Sequence, residues 1–360
     1  MKDILSLDYQ QLQDEMIRMG EKSFRGKQIY DWLHVKLVDD FSLMTNLPEK
    51  LRESLKNNYQ ISRLTLIKLQ ESKIDGTIKY LFQLEDENLI ESVLMPYHHG
   101  NSVCISSQVG CRMGCVFCAS GIGGLERNLT SGEMLSQVYQ IQRLTHQRVS
   151  NVVVMGVGEP LDNRENFVNF VRLLSDEHGL KISQRNITVS TCGIVPEILA
   201  LAKEKLQITL ALSLHGTTDE KRQRLMPIAK KYLLKEVLEA CDVYQGATGR
   251  RITYEYSLMD GINDTDEDAE ELISLLKHRK GHLNLIPVNS IKERKFSSPN
   301  EKTISNFKNK LEKNQINVTI RREMGTDIDG ACGQLRRLAD SDMMDVDLNL
   351  QQREESKGAR

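Results

Sequence analysis

Three cysteines, Cys111, Cys115 and Cys118, stand at C-x3-C-x2-C spacing inside the run GCRMGCVFC. Thiolates so close in sequence leave a four-coordinate metal one protein ligand short. A closed structural zinc site fills that corner from the protein, whereas three thiolates can hold three corners of an iron-sulfur cluster and leave the fourth iron open to a small molecule. Phe117, directly before the last cysteine, would shield the sulfurs from water. The competing reading is zinc, for which Cys104 is the only nearby fourth ligand.

Other residues gather at the ends of apolar runs. In MGVGEP, Gly156 and Gly158 follow a strand-like run, where glycine lets the backbone approach a ligand, and Glu159 can take a hydrogen bond from an ammonium group. Ser190, then Ser213, Leu214 and His215, then Asn289 end later runs. Singly such a residue is more often a helix cap; at successive strand ends they favour one pocket. Cys332 lies in GACG between Gly330 and Gly333, a segment too glycine-rich to bury a structural cysteine. Cys104 is either an ordinary strand cysteine or, if both reach one mouth, half of a redox-capable pair with Cys332. Cys192 and Cys241 are assigned to packing.

The elements that must position these groups read as follows. Residues 1–60 form a helical accessory module: LDYQQLQDEMIRMG, then FRGKQIYDWLH with Trp32 and Leu33 on its apolar stripe, then LPEKLRESLKNN with Pro48 suited to a first turn. Residues 61–100 alternate as strands around a turn at Asp75-Gly76 and read as a short antiparallel β linker. From 101 to 337 apolar runs alternate with amphipathic helices. Six strand-helix units in succession imply parallel strands with helical crossovers, an α/β fold closing only as far as an incomplete (β/α)6 barrel with a lateral opening. The polar stretch 338–360 is expected to be a disordered tail.

Composition sets outer bounds. The chain has 360 residues, 39% hydrophobic and 27% charged, which suits a globular enzyme with a full core. It contains no run of eighteen apolar residues, and MKDILSLDYQQLQDE is too polar for a secretory signal, so no membrane contact and a cytoplasmic location are expected. Seven cysteines, three of them at metal spacing, argue for a reducing compartment. A net charge of −2 excludes a uniformly basic nucleic-acid binder. Any RNA contact must come from local patches: Arg18, Lys22, Arg25 and Lys27; Lys277, Arg279 and Lys280; Lys292, Arg294 and Lys295; Arg321-Arg322; Arg336-Arg337. Such runs are usually solvated faces.

The cysteine spacing resembles the signature of radical S-adenosylmethionine (SAM) enzymes, and MGVGEP resembles the glycine-rich element that holds the methionine amino group there. The ordered set CISSQVGCRMGCVFC, NLT, MGVGEPL, STCGIVP, SLHG, LMPI, NLIPVN and DIDGACGQLR, with FRGKQIYDWL before it, resembles the RlmN/Cfr family of radical SAM RNA methyltransferases over nearly the whole chain. The resemblance implies a 4Fe-4S cluster on Cys111, Cys115 and Cys118, and SAM held by Gly158, Glu159, Pro160, Ser190, Ser213, Leu214, His215 and Asn289. It implies that Cys332 accepts a methyl group from a first SAM and that Cys104 resolves a protein-RNA adduct by a transient disulfide with Cys332. Glu91 matches the family's proton acceptor, although residues alone make it a surface strand glutamate and Cys104 competes for the role. Implied partners are 23S rRNA, tRNA and an external one-electron donor such as ferredoxin or flavodoxin, met by a monomer. Carbon 2 of adenine is the expected target. Pro160 and Pro287 favour it over the carbon 8 branch, which resembles Gly-Glu-Ala and carries arginine at those points. A zinc-containing RNA-binding protein, and a radical enzyme acting on peptides or small molecules, are the rival classes.

Overall fold

Apolar runs after residue 100 pair side by side because each is followed by a helix that carries the chain back over the sheet. The computed structural model describes residues 1–289 and 295–328. The sequence-assigned Cys332, Lys292, Arg294, the Arg336-Arg337 pair and the tail lie outside them. The N-terminal part runs β1 (Lys2–Asp3), α1 (Tyr9–Arg18), α2 (Phe24–His34), α3 (Glu49–Asn58) and β2 (Tyr59–Gln60). Strands β3 (Thr65–Glu71), β4 (Ile78–Gln83), β5 (Leu89–Met95) and β6 (Asn101–Cys104) follow. A small ribbon comes next, β7 (Gln108–Gly110) with β8 (Leu125–Asn128). The alternating region is α4 (Ser131–Thr145), β9 (Val149–Val154), α5 (Arg164–Ser175), β10 (Ile187–Thr191), α6 (Val195–Lys203), β11 (Thr209–Ser213), α7 (Asp219–Leu225), α8 (Leu234–Thr248), β12 (Ile252–Leu258), α9 (Asp266–Leu276), β13 (Gly281–Pro287), α10 (Glu301–Lys313) and β14 (Val318–Ile320).

One sheet of ten strands has the order β14-β13-β12-β11-β10-β9-β6-β5-β4-β3. From β6 through β14 all neighbours are parallel. The sheet is open, with β3 and β14 as its two edges, which is the incomplete barrel that six strand-helix units imply. Capping boxes start two of its helices, Thr130 with Glu133 on α4 and Thr265 with Asp268 on α9.

Strands β3, β4 and β5 extend this same sheet antiparallel, with Val93 opposite Cys104. The chain leaving β14 then crosses to the β3–β4 turn. There the Gly325 amide donates to Asp75 (2.9 Å), the Lys73 amide to Asp327 (2.9 Å) and the Ser72 hydroxyl to Asp327 (2.5 Å). The two open edges are thus bridged by the segment that leads towards Cys332.

The helical module shares the main apolar core through Ile4, Leu12, Leu33 and Leu55. Its first strand places the Asp3 carboxylate at the junction, accepting from the Ser62 hydroxyl (2.8 Å), the Leu5 amide (3.1 Å) and the Thr130 hydroxyl at the start of α4 (3.2 Å). Gly26 lets α2 cross close to α1, since a Cβ there would sit 2.6 Å from the Gln13 amide nitrogen. His34 of α2 hydrogen-bonds Tyr139 of α4 at 2.8 Å, wholly buried.

Candidate active site

The cysteine run folds as a loop across the β7–β8 ribbon. Gly110 has φ +75°, and a Cβ there would collide with the Gly124 carbonyl, which accepts the Cys111 amide at 2.8 Å. The Cys118 amide donates to Cys115 O (3.2 Å) and the Val116 amide to Leu225 O (3.0 Å). Arg112 clamps the Asp162 carboxylate with two guanidinium nitrogens. Gln108 donates to the same Asp162 (3.2 Å) while accepting the Glu159 amide (2.8 Å). The loop is thereby locked to the segment that follows β9.

Met113, Val116 and Phe117 pack against a second apolar cluster containing Cys192, Ile194, Met226 and Met259, separate from the main core. Burial pushes the Cys111 thiol up to about 12 and Cys115 likewise upward, with neighbouring thiols and Glu159 acting in the same direction. Among the described residues no three such side chains stand together as a group able to hold a metal ion, so the fit to an iron-sulfur cluster rests on donor chemistry, three soft sulfurs on one loop against an apolar shell. Cys104, the fourth ligand that zinc would require, has Arg321, Lys79 and Glu91 as its charged neighbours instead of the three thiols.

A cavity of ≈ 390 Å³ opens at the C-terminal ends of the parallel strands. Its wall brings together Glu91, Cys104, Cys118, Ser190, Ser213, His215 and Asn289 from residues 91 to 289 of the chain. His215 has φ +52° and its Nδ1 accepts the Ser257 amide at 3.0 Å, so the ring proton sits on Nε2. Burial pulls this imidazole down to about 3, and it is neutral at physiological pH. Phe117 meets the His215 ring edge-on, centroids 4.8 Å apart.

Several expectations change. Glu159 is buried, and its carboxylate accepts the Cys192 amide (2.8 Å) and the Leu161 amide (3.1 Å), so it also braces two loops of the chain itself. Gly156 and Gly158 are needed for close packing on the chain itself, because Cβ atoms there would strike Ile105 O and Ser107 Oγ. Leu214 is a core residue with no exposed surface, and Pro160 starts a buried 3-10 turn. Glu91 is not a surface glutamate: it is 3% exposed and paired with Lys79. Cys192, assigned to packing, is buried as expected but lies within electrostatic reach of Cys115 and Cys111.

Sequence reasoning missed Glu255 and Ser257 of β12 in the cavity wall. Glu255 accepts from Asn284 at 2.8 Å, and burial pushes its carboxyl up. The available signal was a charge inside an apolar strand, which also marks Lys79. Of the basic patches, Arg321 and Arg322 line the cavity, while Lys277, Arg279 and Lys280 border a separate cavity of ≈ 240 Å³ at the opposite strand ends. Among the described residues no helix is long and apolar enough to cross a membrane.

Comparison with known proteins agrees with this arrangement. Residues 2–61 match the model of the ribosomal RNA large subunit methyltransferase N-terminal domain, and residues 105–276 match that of the radical SAM superfamily. A protein of Lachnoclostridium phytofermentans, "Probable dual-specificity RNA methyltransferase RlmN", is 60% identical over 97% of this chain and 98% of its own length. One of the same name from Lachnospira eligens is 59% identical over 93% of this chain and 96% of its own. The crystal structure of a radical SAM methyltransferase from Sphaerobacter thermophilus superposes with a TM-score of 0.89 at 41% identity, covering 93% of this chain and 99% of that one.

Proposed function

The chain belongs to the RlmN family of radical SAM RNA methyltransferases, and from that premise we propose that it methylates carbon 2 of adenosine in two RNAs: the peptidyl-transferase centre of 23S rRNA and the position 3′ of the anticodon in tRNA. Membership of an enzyme family sets aside the reading as a non-enzymatic RNA-binding protein. The observation that carries the reading is the shared wall of the cavity, which Glu91, Cys104 and Cys118 all line although they come from two strands and a loop.

Carbon 2 of adenine is an electron-poor amidine carbon, so polar transfer of a methyl cation to it fails and a radical route is needed. Cys111, Cys115 and Cys118 would hold the cluster, and Ser190, Ser213, His215 and Asn289 line the space for SAM beside it. Cluster and SAM together supply, when bound, a 5′-deoxyadenosyl radical able to take a hydrogen atom from a methyl group.

The remaining work belongs to side chains. Cys332, outside the described residues, is the thiol that carries the methyl group, with its thiolate as the competent form. Glu91 accepts the proton that carbon 2 gives up. Cys104 attacks the Cys332 sulfur of the protein-RNA adduct; as the S–S bond forms, the S–CH2 bond breaks, its electron pair goes to the carbon on adenine, which takes up a proton to become the methyl group, and reductants later reopen the disulfide. Burial pushes the Cys104 thiol up, whereas Arg321 and Lys79 pull it back towards the reactive form. Arg321 and Arg322 at the same wall suit the phosphates of a base lifted from folded RNA. A ferredoxin or flavodoxin is the expected electron source, and a monomer in the cytoplasm suits a substrate as large as rRNA.

Pro287 closes β13 in the cavity wall and Pro160 starts the turn after β9, the two positions that favour carbon 2. The test is anaerobic reconstitution with an unmodified rRNA fragment, followed by nucleoside mass spectrometry. Formation of 2-methyladenosine is expected; 8-methyladenosine in its place would refute the assignment. Cys332→Ala should be inactive, and Cys104→Ala should trap enzyme cross-linked to RNA.

A further inference from the structure

Lys79 is a charge inside the otherwise apolar strand β4. Its side chain has no exposed surface, and its Nζ lies 3.2 Å from Glu91 Oε2. Pairing sets Lys79 opposite Val93, and Val93 opposite Cys104. Glu91 is two residues from Val93, so Lys79, Glu91 and Cys104 share one face of the sheet. Glu91 and Cys104 reach the cavity wall, while Lys79 stands behind Glu91, away from it. The Glu91 backbone is also held, its carbonyl accepting the Ser106 hydroxyl at 2.7 Å.

A buried ion pair is a poor source of stability, and apolar residues of like volume commonly replace one at no loss. What an ammonium group gives a carboxylate at this range is a counter-charge in a dry wall and a fixed direction. We propose that Lys79 is the positioning residue of Glu91, holding its carboxylate aimed at the cavity so that it can take the ring proton from carbon 2. The inference rests on the assignment of Glu91 as proton acceptor. In the step, the proton passes to a carboxylate oxygen, the electron pair of the C–H bond stays with the ring, and Lys79 keeps its protons.

The test uses the full chain, reconstituted anaerobically, with two readouts. The mass of the Cys332 peptide reports thiol methylation, which precedes any ring proton transfer, and 2-methyladenosine formation reports the whole reaction. Lys79→Met should methylate Cys332 like the wild type yet form product roughly 100-fold more slowly in kcat, with KM little changed. Lys79→Arg should recover most of that rate. Adding Lys79→Met to Glu91→Gln should cost far less than Lys79→Met costs the wild type, because the main path from Lys79 to the ring proton runs through Glu91, the remainder being its pull on the Cys104 thiol. A wild-type rate in Lys79→Met, or losses that add in the double variant, would overturn the positioning role. Full activity in Glu91→Gln alone would instead overturn the proton-acceptor assignment. Should Lys79→Met fail to methylate Cys332, Lys79→Met/Glu91→Met compared with Glu91→Met decides the question with both charges removed.

Discussion

The Ser72 hydroxyl donates to the Asp327 carboxylate at 2.5 Å, joining residues 255 positions apart in sequence. This contact ties the chain leaving one edge of the sheet to the turn at its other edge. Asp327 also accepts the Lys73 amide, and both bonds hold its carboxyl below the usual range.

Cys332 follows Asp327 by five residues, which span at most roughly 18 Å when fully extended. The dock therefore tethers the proposed methyl carrier within that reach of the β3–β4 turn. Asp327→Ala is expected to slow RNA methylation roughly 10- to 100-fold, the scale of a misplaced reacting group. Iron content and SAM binding should be retained. Unchanged single-turnover rates would show that the dock does not position the thiol.

Cys192 lies near two of the three cluster thiols, yet the open-iron reading gives it no bond to metal. Cys192→Ala should keep the full iron content and the spectroscopic response of the cluster to SAM, at a stability cost of about 1 kcal/mol for a small buried truncation. Loss of iron in this variant would mean that the protein, not SAM, fills the fourth corner.

Gly110 takes φ +75° directly before the first cluster cysteine, against the Gly124 carbonyl. Gly110→Ala combines backbone strain with a collision, costing on the order of 1–3 kcal/mol locally. Reconstituted protein should hold markedly less iron while far-ultraviolet circular dichroism stays close to wild type. Normal iron loading would refute the demand for glycine there.

His34 is buried between the helical module and α4, and burial pulls its imidazole down to about 3 from 6.5. Its folded-state value is depressed, so the unfolded chain binds the extra proton. The stability it supports is present above about pH 6.5 and drains away as pH falls towards 3, at about 1.4 kcal/mol per pH unit for each such histidine. His215 behaves alike. Urea midpoints measured from pH 7.5 down to 5 should fall, and His34→Gln should remove about one proton from that slope. A slope identical to wild type would mean that His34 does not govern it.

The proposed cluster ligands stood out in the sequence because Cys111, Cys115 and Cys118 fall within eight consecutive residues, close enough for spacing alone to suggest a shared metal. The serines and His215 at strand ends were legible for a related reason: strand-helix alternation sends every parallel strand end to one rim. The bracing role of Glu159 was not legible because its partner amide at Cys192 lies 33 residues away, and no local pattern shows which distant amide a carboxylate accepts.

Sequence by itself determined the order of strands and helices and which thiols stand close together in the chain, since these follow from residue type and from periods of two to four residues. Only the tertiary structure decided that β5 runs beside β6, that a buried Lys79 pairs with Glu91 where Glu91 and Cys104 line one cavity, and that Asp327 docks on Ser72. Those facts depend on which distant segments share one sheet, and burial and pairing exist only after the chain has brought them together.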